Sequence, residues 1–173
     1  MIGVWLLWGC ACRSPPPGTP PSVPAADVAA PLQAAGLVSD GRYVDARFGF
    51  ELPIPDGWST TTGTDDGALR LRLEQTASGA RVELWCFEGQ DLTPRPREGC
   101  TWTYEDEAPF RAVRTSEPVV GATCTPLDPT VRVTFAYLVA LPNGVLQAEV
   151  HVPRRALLRA KGEGDEVVSG VRW

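Results

Sequence analysis

Lysine and histidine are almost missing from this chain: Lys161 and His151 are the only residues of their kinds among 173. Arginine carries the rest of the positive charge, and the formal net charge is −5 at pH 7. No Lys/Arg cluster longer than Arg154-Arg155 occurs, and no stripe alternates basic with aromatic residues. Phosphate neutralisation needs several grouped cations, so nucleic-acid binding is not expected. The same lack argues against adhesion through acidic lipid headgroups. Long apolar runs are missing too. The run at the start, Met1 to Gly9, holds about eight apolar residues, too few to span a hydrocarbon core of about 30 Å.

Signs of catalysis are equally sparse. There is no CxxC pair, and one histidine cannot supply a zinc set by spacing. Ser169-Gly170 lacks the Gly-x-Ser-x-Gly context of a nucleophile elbow. Gly162-Glu163-Gly164 lacks a third glycine and follows no strand, which excludes a dinucleotide loop. Glu105-Asp106-Glu107 and Asp65-Asp66 fit no calcium-loop spacing and read as solvated turns. His151 has no paired nucleophile in the sequence and reads as an exposed or packed strand residue. We expect no catalytic residue, no metal, no cofactor and no enzyme activity.

What is present begins at the N-terminus. Leu7-Trp8-Gly9-Cys10 resembles the bacterial lipobox, with an aliphatic residue at minus three and a small one at minus one. The resemblance implies a lipoprotein signal over residues 1–9, cleaved before an acylated Cys10; Cys12 is the alternative acceptor. It also implies membrane attachment through the N-terminal lipid (palmitate or its like). Ala11 is not the aspartate that retains lipoproteins in the inner membrane, so the outer membrane is favoured within the cell envelope. Arg13 to Ala35 then holds seven of the seventeen prolines. Proline supplies no ladder donor and interrupts helices, so residues 10–41 read as an extended tether, about 3 Å per residue.

Residues 42–173 suit one globular domain. Leu69-Arg-Leu-Arg-Leu-Glu alternates strictly, which predicts Leu69, Leu71 and Leu73 inward with Arg70 and Arg72 in water. From Arg81 to Phe87 the alternation sets Val82, Leu84 and Cys86 on one face, with Trp85 and Phe87 on the other. Those two aromatics, with Trp102 and Tyr104, are the candidate binding face; cover by a helix or by the chain's own loop is the plainer reading. Thr130 to Val152 reads as a hairpin turning at Asn143-Gly144, a type I′ pair, which sets Leu141 opposite Leu146 and Ala136 opposite His151. Arg154 to Lys161 predicts a helix, interrupted at Gly162-Glu163-Gly164, with a further turn capped by Asp165 and a short closing strand at Val171 to Trp173.

Five cysteines stand at positions 10, 12, 86, 100 and 124. In an oxidising envelope, Cys86–Cys100 is the preferred disulfide because it closes a polar loop of about 15 residues, contributing about 3 kcal/mol in the chain-entropy model. Cys100–Cys124 is the alternative, and three buried free thiols are a third possibility.

Three stretches resemble the Mog1/PsbP-like family. Tyr43…Phe48-Gly-Phe-Glu-Leu-Pro-Ile-Pro-Asp-Gly-Trp58 is similar to its opening, the late hairpin enters a helix as it does there, and Val167-Val-Ser-Gly-Val-Arg172 is similar to its close. The resemblance implies an α+β fold: antiparallel β-sheets with packed helices, an α/β/α sandwich. It also implies a binding or assembly factor. The expected function is a non-catalytic envelope lipoprotein that binds or helps assemble another envelope component, through an envelope protein partner. A small-ligand carrier, or an enzyme with a site near His151, are the alternatives.

Overall fold

A computed structural model describes residues 36–63, 68–97, 99, 101–105, 119–128 and 130–173. The apolar alternation closes into two antiparallel sheets. A three-stranded sheet consists of β1 (Leu37–Ser39), β2 (Arg42–Asp45) and β3 (Phe50–Pro53), in that order. Pairing thus begins at Leu37, inside the stretch read as tether, because Leu37 and Val38 find partners in Val44 and Tyr43. The larger sheet contains β4 (Trp58–Thr62), β5 (Leu69–Gln75), β6 (Ala80–Phe87), β7 (Trp102–Glu105), β8 (Val120–Cys124), β9 (Val133–Leu141) and β10 (Gly144–Val152). Its seven strands are ordered β4-β5-β6-β10-β9-β8-β7.

Only one α-helix, α1 (Leu157–Ser169), occurs among the described residues, preceded by a 3₁₀ turn at Arg154–Ala156. The expected packing of several helices in an α/β/α sandwich is therefore corrected to antiparallel sheets with one C-terminal helix. That helix runs unbroken through Gly162 and Gly164. Its buried positions, Ala160, Gly164, Val167 and Val168, recur at helical spacing and pack against β6 and β10. Gly164 belongs there because a Cβ would overlap the Val150 side chain, so the missing side chain lets the helix approach the sheet. No described helix is long and apolar enough to cross a membrane.

One face of the large sheet builds the core. Leu71, Leu73, Val82, Leu84, Leu146, Ala148, Val150, Phe135 and Tyr137 join Tyr43, Phe50 and Leu52 of the small sheet and Val167 and Val168 of α1. Full burial of each large apolar side chain is worth about 1.5–3 kcal/mol, so this face anchors the fold. The chain closes with an isolated bridge between Arg172 and Glu51 rather than a strand.

Two registers differ from the alternation-based expectation. The hairpin turns at Pro142-Asn143, pairing Leu141 with Gly144 and Leu146 with Val139. A type I′ turn needs positive φ at both central positions, which a proline at the first cannot adopt. The two-residue shift preserves every face but sets His151 opposite Thr134 instead of Ala136. In β5, Leu69 pairs with Trp85 and Leu71 with Leu84, so Arg70 is an extra, bulged residue. The bulge turns Arg70 into the interior, correcting its expected place in water.

Candidate functional site

The opposite face of the large sheet, here the far face, is assembled row by row from the register. One row runs Glu74, Arg81, His151, Thr134, Cys124 and Trp102. The next runs Arg72, Glu83, Glu149, Ala136, Ala122 and Tyr104. Trp85 pairs with Gln147, and Phe87 with Val145. All nine residues of β10 are buried, so this central strand is covered on both faces. Polar side chains on it must therefore find partners within the protein.

They do so in one network. His151 Nε2 lies 3.3 Å from Glu83 Oε2 and 3.2 Å from Glu149 Oε2, and Thr134 Oγ1 lies 3.0 Å from its Nδ1. Arg97 Nη1 donates to Thr134 Oγ1 at 3.0 Å and to Glu149 Oε2 at 3.1 Å, and stands 3.2 Å from Nδ1. Gln147 Nε2 donates to Glu149 Oε1 (2.7 Å) and Arg72 Nε to Glu83 Oε1 (2.9 Å). Burial alone would raise the Glu83 carboxyl; the neighbouring imidazole and Arg72 outweigh it and hold it down to about 2. Burial likewise opposes ionisation of Glu149, and His151, Arg97 and Gln147 reverse the effect, leaving it below the usual carboxylate range. One atom stays unmatched. His151 is 4% exposed, yet its Nε2 is aligned for a hydrogen bond with neither carboxylate. A buried polar atom left so costs about 1–3 kcal/mol.

Residues 91–97 form a strap over this face. Arg95 N donates to Gln147 Oε1 (3.0 Å), and the Arg95 carbonyl accepts from Trp102 Nε1 (2.8 Å). The Arg95 guanidinium stacks over the Phe87 ring at 4.5 Å. Between strap and sheet lies a cleft of about 280 Å³, lined by the apolar Ala68, Trp85, Phe87 and Pro96 and by the polar Arg95, Arg97, Gln147 and Glu149. Trp85 Nε1 is buried without a partner.

The four residues read as a binding face share one face of the sheet but not one patch. Trp85 and Phe87 line the cleft on β6. Trp102 and Tyr104 stand on β7, four strands away, about 19 Å at the usual strand spacing. Trp102 meets the strap from that side, and Tyr104 is 55% exposed. The cover over Trp85 and Phe87 comes from the chain's own loop.

Cys86 is a free thiol facing the core, 3% exposed, so the preferred Cys86–Cys100 disulfide is not formed. Alternation on β6 turns it into the core, away from the loop that was expected to supply its partner. Cys124 is the disulfide-bonded one among the described cysteines. Cys10, Cys12 and Cys100 lie outside the described residues, as do Asp65, Asp66, Asp106 and Glu107.

The network itself escaped the sequence reading. Its signal was Gln147, Glu149 and His151 at alternate positions of a strand otherwise made of small and aliphatic residues. Glu83 joins them only through the β6–β10 register. A hydroxyl, an imidazole and a carboxylate do meet here, as Thr134, His151 and Glu149. A guanidinium against both Thr134 Oγ1 and Nδ1 opposes proton transfer from that hydroxyl, since it would create a second cation beside Arg97.

No family model matches the sequence, and no curated protein matches it. Among solved structures, the chain is similar to the solution structure of cyanobacterial PsbP (CyanoP) from Synechocystis sp. PCC 6803, at 12% identity and a TM-score of 0.47. The match covers 83% of this chain and 99% of that one. A likeness this slight says nothing of binding or chemistry here.

Proposed function

We propose that the chain is a non-catalytic lipoprotein of the cell envelope, anchored through Cys10 to the outer membrane, whose globular domain binds or helps assemble another envelope component. The observation that carries it is the engagement of the far face: its His, Thr, Glu and Arg side chains are held by one another beneath a strap, not arrayed around an open reactive centre. The lipobox-like start and the proline-rich stretch support the anchor and the reach. Tyr104 on the edge strand β7 is the large exposed aromatic of that face and the natural probe position.

Photo-crosslinking in cells from position 104, with Leu158 (87% exposed, on α1) as control, tests the reading. A reproducible envelope partner trapped from position 104 alone is expected; equal or no trapping at both counts against it. Mass spectrometry of the mature N-terminus tests the anchor: an acylated Cys10 is expected, and an unmodified Met1 overturns it.

The cleft between strap and sheet favours a second reading, a small-ligand carrier. Trp85, Phe87, Ala68 and Pro96 give it an apolar side, four polar residues complete the lining, and Trp85 Nε1 is a buried donor without an acceptor. Quenching or shift of tryptophan emission by a bound ligand, lost in Trp85→Phe, would mark this second reading.

A further inference from the structure

We infer that Glu83, Glu149 and His151 form a binding site for a divalent transition-metal ion of the zinc class. One ligand atom from each residue lies within 4.8 Å of the others, and all three side chains are buried. His151 Nε2 stands 3.3 Å and 3.2 Å from the two carboxylate Oε2 atoms. Tetrahedral coordination at bonds of about 2.0–2.1 Å sets ligand atoms about 3.3 Å apart, so two edges of such a site are already in place.

The surrounding groups orient these atoms by hydrogen-bonding to the far oxygen of each carboxylate and the far nitrogen of the ring. Arg72 holds Glu83 by Oε1 and Gln147 holds Glu149 by Oε1, which leaves both Oε2 atoms on the side of the imidazole, that of Glu149 also accepting from Arg97 Nη1 at 3.1 Å. Thr134 Oγ1, 3.0 Å from Nδ1, can accept its proton in the tautomer that presents a lone pair at Nε2; Arg97 Nη1, a donor 3.2 Å from Nδ1, must then turn to its other partners, Thr134 Oγ1 and Glu149 Oε2. Nε2 is a buried ring nitrogen without a hydrogen-bond partner, and it lies within 3.3 Å of an oxygen of each carboxylate. An ion there would supply the partner it lacks.

The donor set selects the ion. One imidazole nitrogen and two carboxylate oxygens suit zinc or cobalt; calcium and magnesium require more oxygen ligands and do not favour imidazole. Two carboxylates balance a divalent charge. Arg72, Arg97 and Arg81, the last 3.8 Å from Glu83 Oε1, add positive charge, but their side chains are 38%, 34% and 36% exposed and share it with water.

The test is titration of the full-length chain, purified in detergent, with Zn²⁺, Co²⁺ and Ca²⁺. His151 is the only histidine, so its ring-nitrogen resonances report the site unambiguously and separate it from any thiol binding. We expect one equivalent of Zn²⁺ to move the His151 Nε2 resonance, Co²⁺ to compete and Ca²⁺ to do neither. Glu83→Gln and Glu149→Gln should each lose at least about 10- to 100-fold in affinity, the loss usual even when only a hydrogen-bond partner of a metal ligand is changed. Thr134→Val, which removes the Nδ1 acceptor while keeping shape, should lose affinity in the same range. Zinc uptake that leaves the His151 resonances unmoved overturns the site, as does unchanged affinity in the Gln variants. Should those variants fail to fold, unchanged affinity in Thr134→Val overturns it instead.

Discussion

Asp45 and Arg70 form an ion pair at 2.7 Å with side chains 0% and 1% exposed, joining the small sheet to the bulge of β5. Asp45 Oδ2 also accepts from the Tyr43 hydroxyl, and Oδ1 from the backbone N–H groups of Arg47 and Phe48. The guanidinium lies over the Phe48 ring at 5.3 Å. Two charges sealed from water are stable only because nearly every lone pair and proton finds a partner.

Removing one partner strands the other. Asp45→Leu or Arg70→Met should each destabilise the fold by about 3–5 kcal/mol, because an uncompensated charge stays buried. Arg70→Met with Asp45→Leu should lose less than the sum of the single changes. Urea denaturation of all four proteins in a double-mutant cycle measures it.

The two helical glycines should respond in opposite directions. Nothing lies within 4 Å of a Cβ added at Gly162, so Gly162→Ala should stabilise by about 0.5–1 kcal/mol through helix propensity. At Gly164 the new methyl would overlap Val150, and overpacking of about 1–3 kcal/mol should exceed that gain. Thermal melting of the two variants separates them: a raised Tm for the first, a lowered one for the second.

Alkaline solution should weaken the protein before it denatures outright. Burial pushes the Cys86 thiol and the Tyr43 hydroxyl well above their ordinary values of 9.0 and 10.0, and nearby Asp45 pushes the same way. Above about pH 9 the unfolded chain releases these protons while the folded one keeps them, so stability falls as pH rises. Each group contributes a slope of up to about 1.4 kcal/mol per pH unit. Denaturation midpoints from pH 7 to 11 should show the decline, with a shallower onset in Cys86→Val. At pH 8 the native thiol should also resist a thiol reagent that labels it readily in urea.

Loosening the strap should expose the cleft. Trp102→Phe deletes the hydrogen bond to the Arg95 carbonyl, worth about 0.5–1.5 kcal/mol. Faster amide exchange is expected at Arg95, whose N–H is held by Gln147, with little change at the β9–β10 ladder. Equal acceleration throughout would mean that Trp102 supports the whole sheet and not the strap.

Much of the secondary structure was legible from alternation. Val82, Leu84 and Cys86 do face the core, Trp85 and Phe87 do face away, and the late hairpin keeps every predicted face. Asn143-Gly144 suits a tight hairpin, yet the chain turns one residue earlier, at Pro142-Asn143. Gly144 serves another purpose, since a Cβ there would overlap the Phe87 carbonyl and its φ is 150°. Gly162 and Gly164 were read as a helix break, although one of them is a packing contact.

Side-chain period is a local property, and outside the bulged β5 it determined which residues of each strand share a face, which apolar set forms the core, and where polar residues enter β10. Register and bulges depend on strands far apart in sequence, and these the tertiary structure decided. The bulge opposite Trp85 and Leu84 buried Arg70 against Asp45, where alternation alone would have left it in water. The β6–β10 pairing brought Glu83 across 66 positions of sequence to Glu149, and both of them to His151. Neither meeting has a local signature, because a two-residue slip of the same strands would keep every face and part the partners.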